Sequence, residues 1–122
     1  MTVRIRDKLT PKGTVTPSAL NSETDIINLP DQSDDYIIEG YIDLSNMEAD
    51  DTVLLKVYIA VDGTNQRLAD KVLFKGVQDI PIVRILAHTI PNDGKFRVTL
   101  TQTSGTVKSF PYAFIVQIME EI

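Results

Sequence analysis

The side chains that could do chemistry are few. The chain has one histidine, His88, and no cysteine. Neither a thiol nucleophile nor a thiolate or His-rich metal site can be built from that set. His88 falls in the run Arg84 to Ile90, in phase with Leu86 and Ile90. A lone histidine in a strand pattern reads as structural rather than catalytic. Serines and aspartates are plentiful, but no G-x-S-x-G elbow or similar frame presents a nucleophile. The sequence therefore predicts a non-enzymatic protein without a cofactor.

Two further chemistries define the alternative, a ligand-binding accessory module. Carboxylates cluster at Asp31, Asp34 and Asp35, at Glu48, Asp50 and Asp51, and at Asp62. Loops of this kind can gather at one end of a β-sandwich and bind calcium through oxygen ligands. Their spacing does not match an EF-hand loop, and solvated loop acids are the simpler reading. A carbohydrate site would need an aromatic platform. The chain has no Trp, four Tyr and four Phe, and Tyr41, Tyr58 and Tyr112 read as core or interface residues with large apolar area.

Charge is the more informative pattern. The chain has 122 residues and a net charge of −5, which argues against nonspecific nucleic-acid binding. Residues 1–22 hold Arg4, Arg6, Lys8 and Lys12 against Asp7, a balance of +3. Residues 23–62 hold eleven acids against Lys56, a balance of −10, and residues 63–122 hold seven bases against five acids. A basic start and an acidic middle can pair head to tail between copies, since complementary patches steer encounter and fix register. The same charges also keep a surface soluble.

The elements that must position these residues are strands. Residues 1–22 read as an N-terminal arm, punctuated by Pro11, Gly13 and Pro17. Val3 and Ile5 alternate with Arg4 and Arg6, so a short strand at 2–6 needs a sheet edge to join, in this chain or in a neighbouring copy. Tyr36 to Asp43 alternates, with Tyr36, Ile38 and Ile42 on one face. Leu44 to Asp51 reads as a loop or one helical turn, with Ser45 and Glu48 placed as a capping pair.

Thr52 to Asp62 is the clearest strand, with Val53, Leu55, Val57, Ile59 and Val61 on one face and a turn at Asp62-Gly63. Arg67 to Phe74 follows. Pro81 to Ile90 is apolar on both faces, which predicts a central, covered strand. Lys95 to Thr103 places Phe96, Val98 and Leu100 inward and Arg97, Thr99 and Thr101 outward. Val107 to Met119 closes the chain, with Pro111 implying a strand start, an edge or a bulge.

Seven or eight strands at regular spacing, with no sustained helical period, predict an all-β fold. The expected architecture is an antiparallel, jelly-roll-like β-sandwich over residues 23–122 preceded by the arm. No segment approaches the length of a membrane helix, and the start of the chain lacks the apolar stretch of a secretory signal. Strand order, jelly roll against immunoglobulin-like, is not visible in periodicity.

Two stretches carry a family likeness. GYIDLSNMEADDTVLLKVYIAVDGTNQRL at 40–68 and KFRVTLTQTSGTVKSFPYAFIVQIMEE at 95–121 resemble the β-sandwich structural proteins of icosahedral viruses of archaea and bacteria, of the turret, penton or decoration type. The resemblance implies a virion component, assembled in host cytoplasm, whose partners are copies of itself and other capsid proteins. It carries over no individual contacts. Together with the charge split it nominates an interface in which Arg4, Arg6 and Lys8 of the arm meet acids of a neighbour, Asp34, Asp35, Asp50 and Asp51.

Overall fold

The computed structural model describes residues 2–30 and 32–121. Among them are nine strands: β1 (Val3–Leu9), β2 (Lys12–Val15), β3 (Thr24–Leu29), β4 (Tyr36–Asp43), β5 (Thr52–Ala60), β6 (Arg67–Lys75), β7 (Ile82–Ile90), β8 (Lys95–Ser104) and β9 (Phe110–Glu121). A first sheet runs β1-β9-β4-β7, with β2 also paired to β9, and a second runs β3-β8-β5-β6. All pairings are antiparallel.

β1 and β2 are one strand interrupted at Thr10-Pro11. Leu9 faces Val116 and Lys12 faces Ala113, so the register carries through the break. Phe114 N donates to the Pro11 carbonyl at 2.8 Å, which keeps the ladder intact where Pro11 itself has no N–H to give. Counted this way, four strands face four. Among the later connections only the β5–β6 hairpin stays within one sheet, and the others cross between sheets. The molecule is a jelly-roll sandwich, which resolves the strand order that periodicity left open.

The core lies between the sheets. Tyr36, Ile38 and Ile42 of β4 point inward with Phe114, Val116 and Ile118 of β9, against Val53, Leu55 and Val57 of β5 and Phe96, Val98 and Leu100 of β8. The sets of β4, β5 and β8 are those expected from the sequence; the inward set of β9 is read from the structure. Tyr36 satisfies its buried hydroxyl by donating to the Gly94 carbonyl at 3.0 Å. Gly40 faces Phe114 across the ladder, and a Cβ there would overlap the Phe114 ring.

Several expectations need correction. The Pro81 to Ile90 run is not central: β7 is an edge strand, and Leu86 is 62% exposed. Its apolar residues on both faces reflect an uncovered flank, not double coverage. The core phase of β5 slips at its end, where Ala60 is buried and Val61 is 90% exposed. Residues 44–51 form turns without a helix, and Asp43 takes the capping role by accepting from Ser45 N at 2.9 Å. The strand expected at 107–119 begins at Phe110, which makes Pro111 its second residue.

The ladders differ by position. β4–β9 is unbroken from Tyr36 to Ile42, and β5–β8 from Val53 to Ala60. Each edge strand carries a bulge instead: Arg6 in β1, Ile26 in β3, Ala69 in β6, and Leu86-Ala87 opposite Glu39 in β7. Bulges twist an edge away from unintended strand addition.

Gly40→Ala forces the Phe114 ring out of its seat. It should destabilise the fold by about 1–3 kcal/mol, the usual cost of overpacking, read as a lower midpoint in urea unfolding.

Candidate functional site

The bulge at Arg6 decides what β1 presents. Cross-strand partners share a face. Before the bulge, Ile5 faces Met119, on the outer side of the first sheet; after it, Leu9 faces Val116, on the inner side. Val3, Ile5 and Leu9 are all exposed: Val3 and Ile5 because they lie on the outer side, Leu9 because no strand of the second sheet packs substantially over β1. Of the other strands, β1 packs substantially against β9 alone.

The three basic residues of β1 fall differently. Arg4 binds Glu120 through Nε at 2.8 Å and its terminal nitrogen at 2.6 Å. Arg6 reaches Asp34 at 3.2 Å and Glu120 at 4.0 Å. Lys8 lies opposite Gln117 on the outer face. Asp35, next to Asp34, holds the β7–β8 turn by accepting from Asn92 N at 2.8 Å. The structure thus brings Arg4, Arg6, Asp34 and Asp35 together at one end of the sandwich, within one chain. Asp31 lies outside the described residues.

Asp50 and Asp51 sit at the opposite end, in the β4–β5 loop, so one copy does not join them to the β1 cluster. Asp51 is 2% exposed. Its Oδ2 accepts from Glu48 N at 2.9 Å and pairs with Lys108 Nζ at 3.1 Å; its Oδ1 accepts from Thr106 N at 3.2 Å and Gln102 Nε2 at 3.3 Å. Gln102 is fully buried and also donates to the carbonyls of Ser104 and Thr106. The network clamps the β4–β5 loop to the β8–β9 turn. Gly105, at φ +82°, leaves room for the carboxylate, since a Cβ would strike Asp51 Oδ1.

Burial pushes the Asp51 carboxyl upward, but the Glu48 N–H, the Lys108 ammonium and the Thr106 N–H outweigh it, and the group is held below its ordinary value. Asp62 is lowered to about 2 by the N–H groups of Asn65 and Thr64 and the Asn65 amide, which close the β5–β6 turn.

A third cluster escaped the sequence reading because three strands and a loop build it. On the outer face of the second sheet, Glu23 accepts from the hydroxyls of Tyr58 at 2.6 Å and Thr99 at 2.7 Å. Arg97 lies 5.2 Å over the Tyr58 ring and binds Asp25 at 2.6 Å. The Tyr58 and Thr99 hydroxyls, aided by Lys56 and Arg97, hold the Glu23 carboxyl below its ordinary value.

His88 donates from Nδ1 to the Leu86 carbonyl at 2.7 Å and packs 5.3 Å from the Phe96 ring. It borders a cleft of about 180 Å³ between β6 and β7, lined at its base by the buried Leu55, Val57 and Ile85 and at its rim by Val72. Among the described residues no group of three or more His, Cys, Asp and Glu side chains is arranged to hold a metal ion, and no helix is long and apolar enough to cross a membrane.

No family matches the chain by sequence, and no curated protein matches it. Solved structures do. A structure from Bacillus endospore appendages, described as disulfide-linked pili, shares 10% identity at a TM-score of 0.57, over 93% of this chain and 89% of its own. Two structures of infectious bursal disease virus, one of the Gx strain and one of the VP2 subviral particle, share 10% and 11% identity at TM-scores of 0.49 and 0.47. This chain spans 32% and 33% of those viral chains. At these identities the appendage structure supports the fold alone: an all-β sandwich.

Asp51→Ala takes the carboxylate from the Glu48 and Thr106 N–H groups and from the Lys108 ammonium and should cost about 2 kcal/mol, measured by chemical unfolding at neutral pH. The unfolded chain binds more protons than the folded one as pH falls below the ordinary values of Asp51 and Glu23, 3.8 and 4.5. The stability these groups give is therefore complete above that range and is lost as pH drops through the lowered folded values. Melting temperature should fall below about pH 4.5, and less steeply in Asp51→Ala; an unchanged acid slope in the variant would contradict the assignment.

Proposed function

We propose that the chain is a non-enzymatic structural subunit that associates with copies of itself, with a virion as its setting and other capsid proteins as further partners. The observation that carries this reading is where exposed apolar side chains lie. A closed sandwich has buried its core, yet Val3, Ile5 and Leu9 on one flank and Ile82, Leu86 and Leu73 on the other stay in water. Apolar residues grouped on a surface mark contact sites. The appendage fold likeness is in keeping with a structural role. With no cysteine, contacts between copies of this chain are noncovalent as far as thiols are concerned.

Arg4, Arg6 and Lys8 serve assembly through exchange of β1. Because β1 packs substantially against β9 alone, a neighbour's β1 can replace it and keep the same ladder and the same Arg4–Glu120 and Arg6–Asp34 pairs. Exchange of identical elements is a low-cost route to oligomers. Thr10-Pro11 is the hinge, since the ladder there has already lost one donor. Asp35 stays as the turn brace beside the exchanged strand, and Asp50 and Asp51 keep the far end of the sandwich closed.

Removing residues 2–9 should lower the mass of the assembled protein in light scattering while leaving a cooperative melt. The full chain and the truncated chain scattering alike would overturn the role of β1.

A further inference from the structure

The two flanks of the sandwich are not equivalent. On the β6/β7 flank, Val72 and Leu86 are exposed at the cleft that reaches Leu55 and Val57, and Leu68, Leu73, Ile80 and Ile82 are exposed on the outer surfaces beside it. Lys71 and Asp70 line its β6 side, and β6 also carries Arg67 and Lys75. On the opposite flank, β1 offers Val3, Ile5 and Leu9, its Arg4 and Arg6 being paired within the chain to Glu120 and Asp34, and β3 carries no base and one acid, Asp25, which is half-open to solvent beside its own partner Arg97.

Register links the ends directly. Asp25 faces Thr99, Thr99 faces Lys56, and Lys56 faces Lys71, so one row across the second sheet begins with an acid and ends with a base. All four lie on the outer face, because Val57 and Val98 in the adjoining row point into the core.

Four antiparallel strands per sheet also fix polarity. β3 and β6 run in opposite directions, as do β1 and β7. A second copy moved sideways therefore sets its β3 beside β6, and its β1 beside β7, both antiparallel. From this geometry we infer that the β6/β7 flank is a socket for the β1/β3 flank of a second copy, with Lys71 of one meeting Asp25 of the next. The contact is made by side chains: the four bulged edges oppose a continuous backbone ladder. It is a head-to-tail contact between two different surfaces, which propagates into a ring or a filament.

The inference rests on the self-association reading, and charge exchange separates the two. Lys71→Asp alone sets two acids face to face; Asp25→Lys alone sets two bases. Each should raise the concentration needed for half-assembly about tenfold, a modest like-charge penalty. Mixing the two variants pairs Asp at 71 with Lys at 25, and Lys71 with Asp25, at alternating junctions, and should restore assembly. Leu86→Glu, at an exposed position that leaves the core intact, should also block it. Sedimentation at a series of concentrations reads all of these, with thermal melting as the check on folding. Wild-type protein that stays monomeric throughout overturns both the reading and the inference. Wild-type assembly with either charge variant or Leu86→Glu assembling as well, or a mixture that does not recover, overturns the socket and leaves self-association standing.

Discussion

The pairing of β9 with β4 holds the first sheet together. It runs without a register shift from Tyr36–Ile118 to Ile42–Tyr112, and its inner face delivers Ile38, Ile42, Phe114, Val116 and Ile118 to the core. β9 also takes β1 and β2 on its other side. The first strand of the chain therefore cannot find its place until the last one has formed. Contacts so distant in sequence are slow to assemble. They also leave the first strand as the element most easily supplied by another copy.

That constraint sets the division of labour across the molecule. The centre is regular and covered on its inner face, with a close backbone approach at Gly40, under the Phe114 ring. The ends are closed by carboxylates that act as loop clamps: Asp51 at one end, Asp35 and Asp62 at the other. The flanks carry what remains, bulged edges with apolar side chains and charge.

Much of the core was legible in the sequence, because alternation reports a strand with one buried face. Phe96, Val98 and Leu100 were placed correctly for that reason, as were Tyr36, Ile38 and Ile42. Where alternation failed, the cause was physical. The apolar run at 82–90 looked central, but an exposed edge strand and a doubly covered strand can have the same composition. Pro11 and Gly13 looked like loop punctuation, yet the Pro11 carbonyl still serves the ladder to β9. Pairings between distant strands left no periodic trace, so neither the jelly-roll order nor the Glu23–Tyr58–Thr99 cluster could be read. Asp51 looked like one more solvated loop acid; only the fold brings Lys108 and Gln102 to it.

Hydrogen exchange of the full chain at low and high concentration tests the central claim, that copies meet through their flanks. The account predicts that backbone amides of β6 and β7 slow as concentration rises, while those of β4 and the centre of β9, already protected, do not change. Exchange rates in β6 and β7 that are the same at every concentration would contradict it.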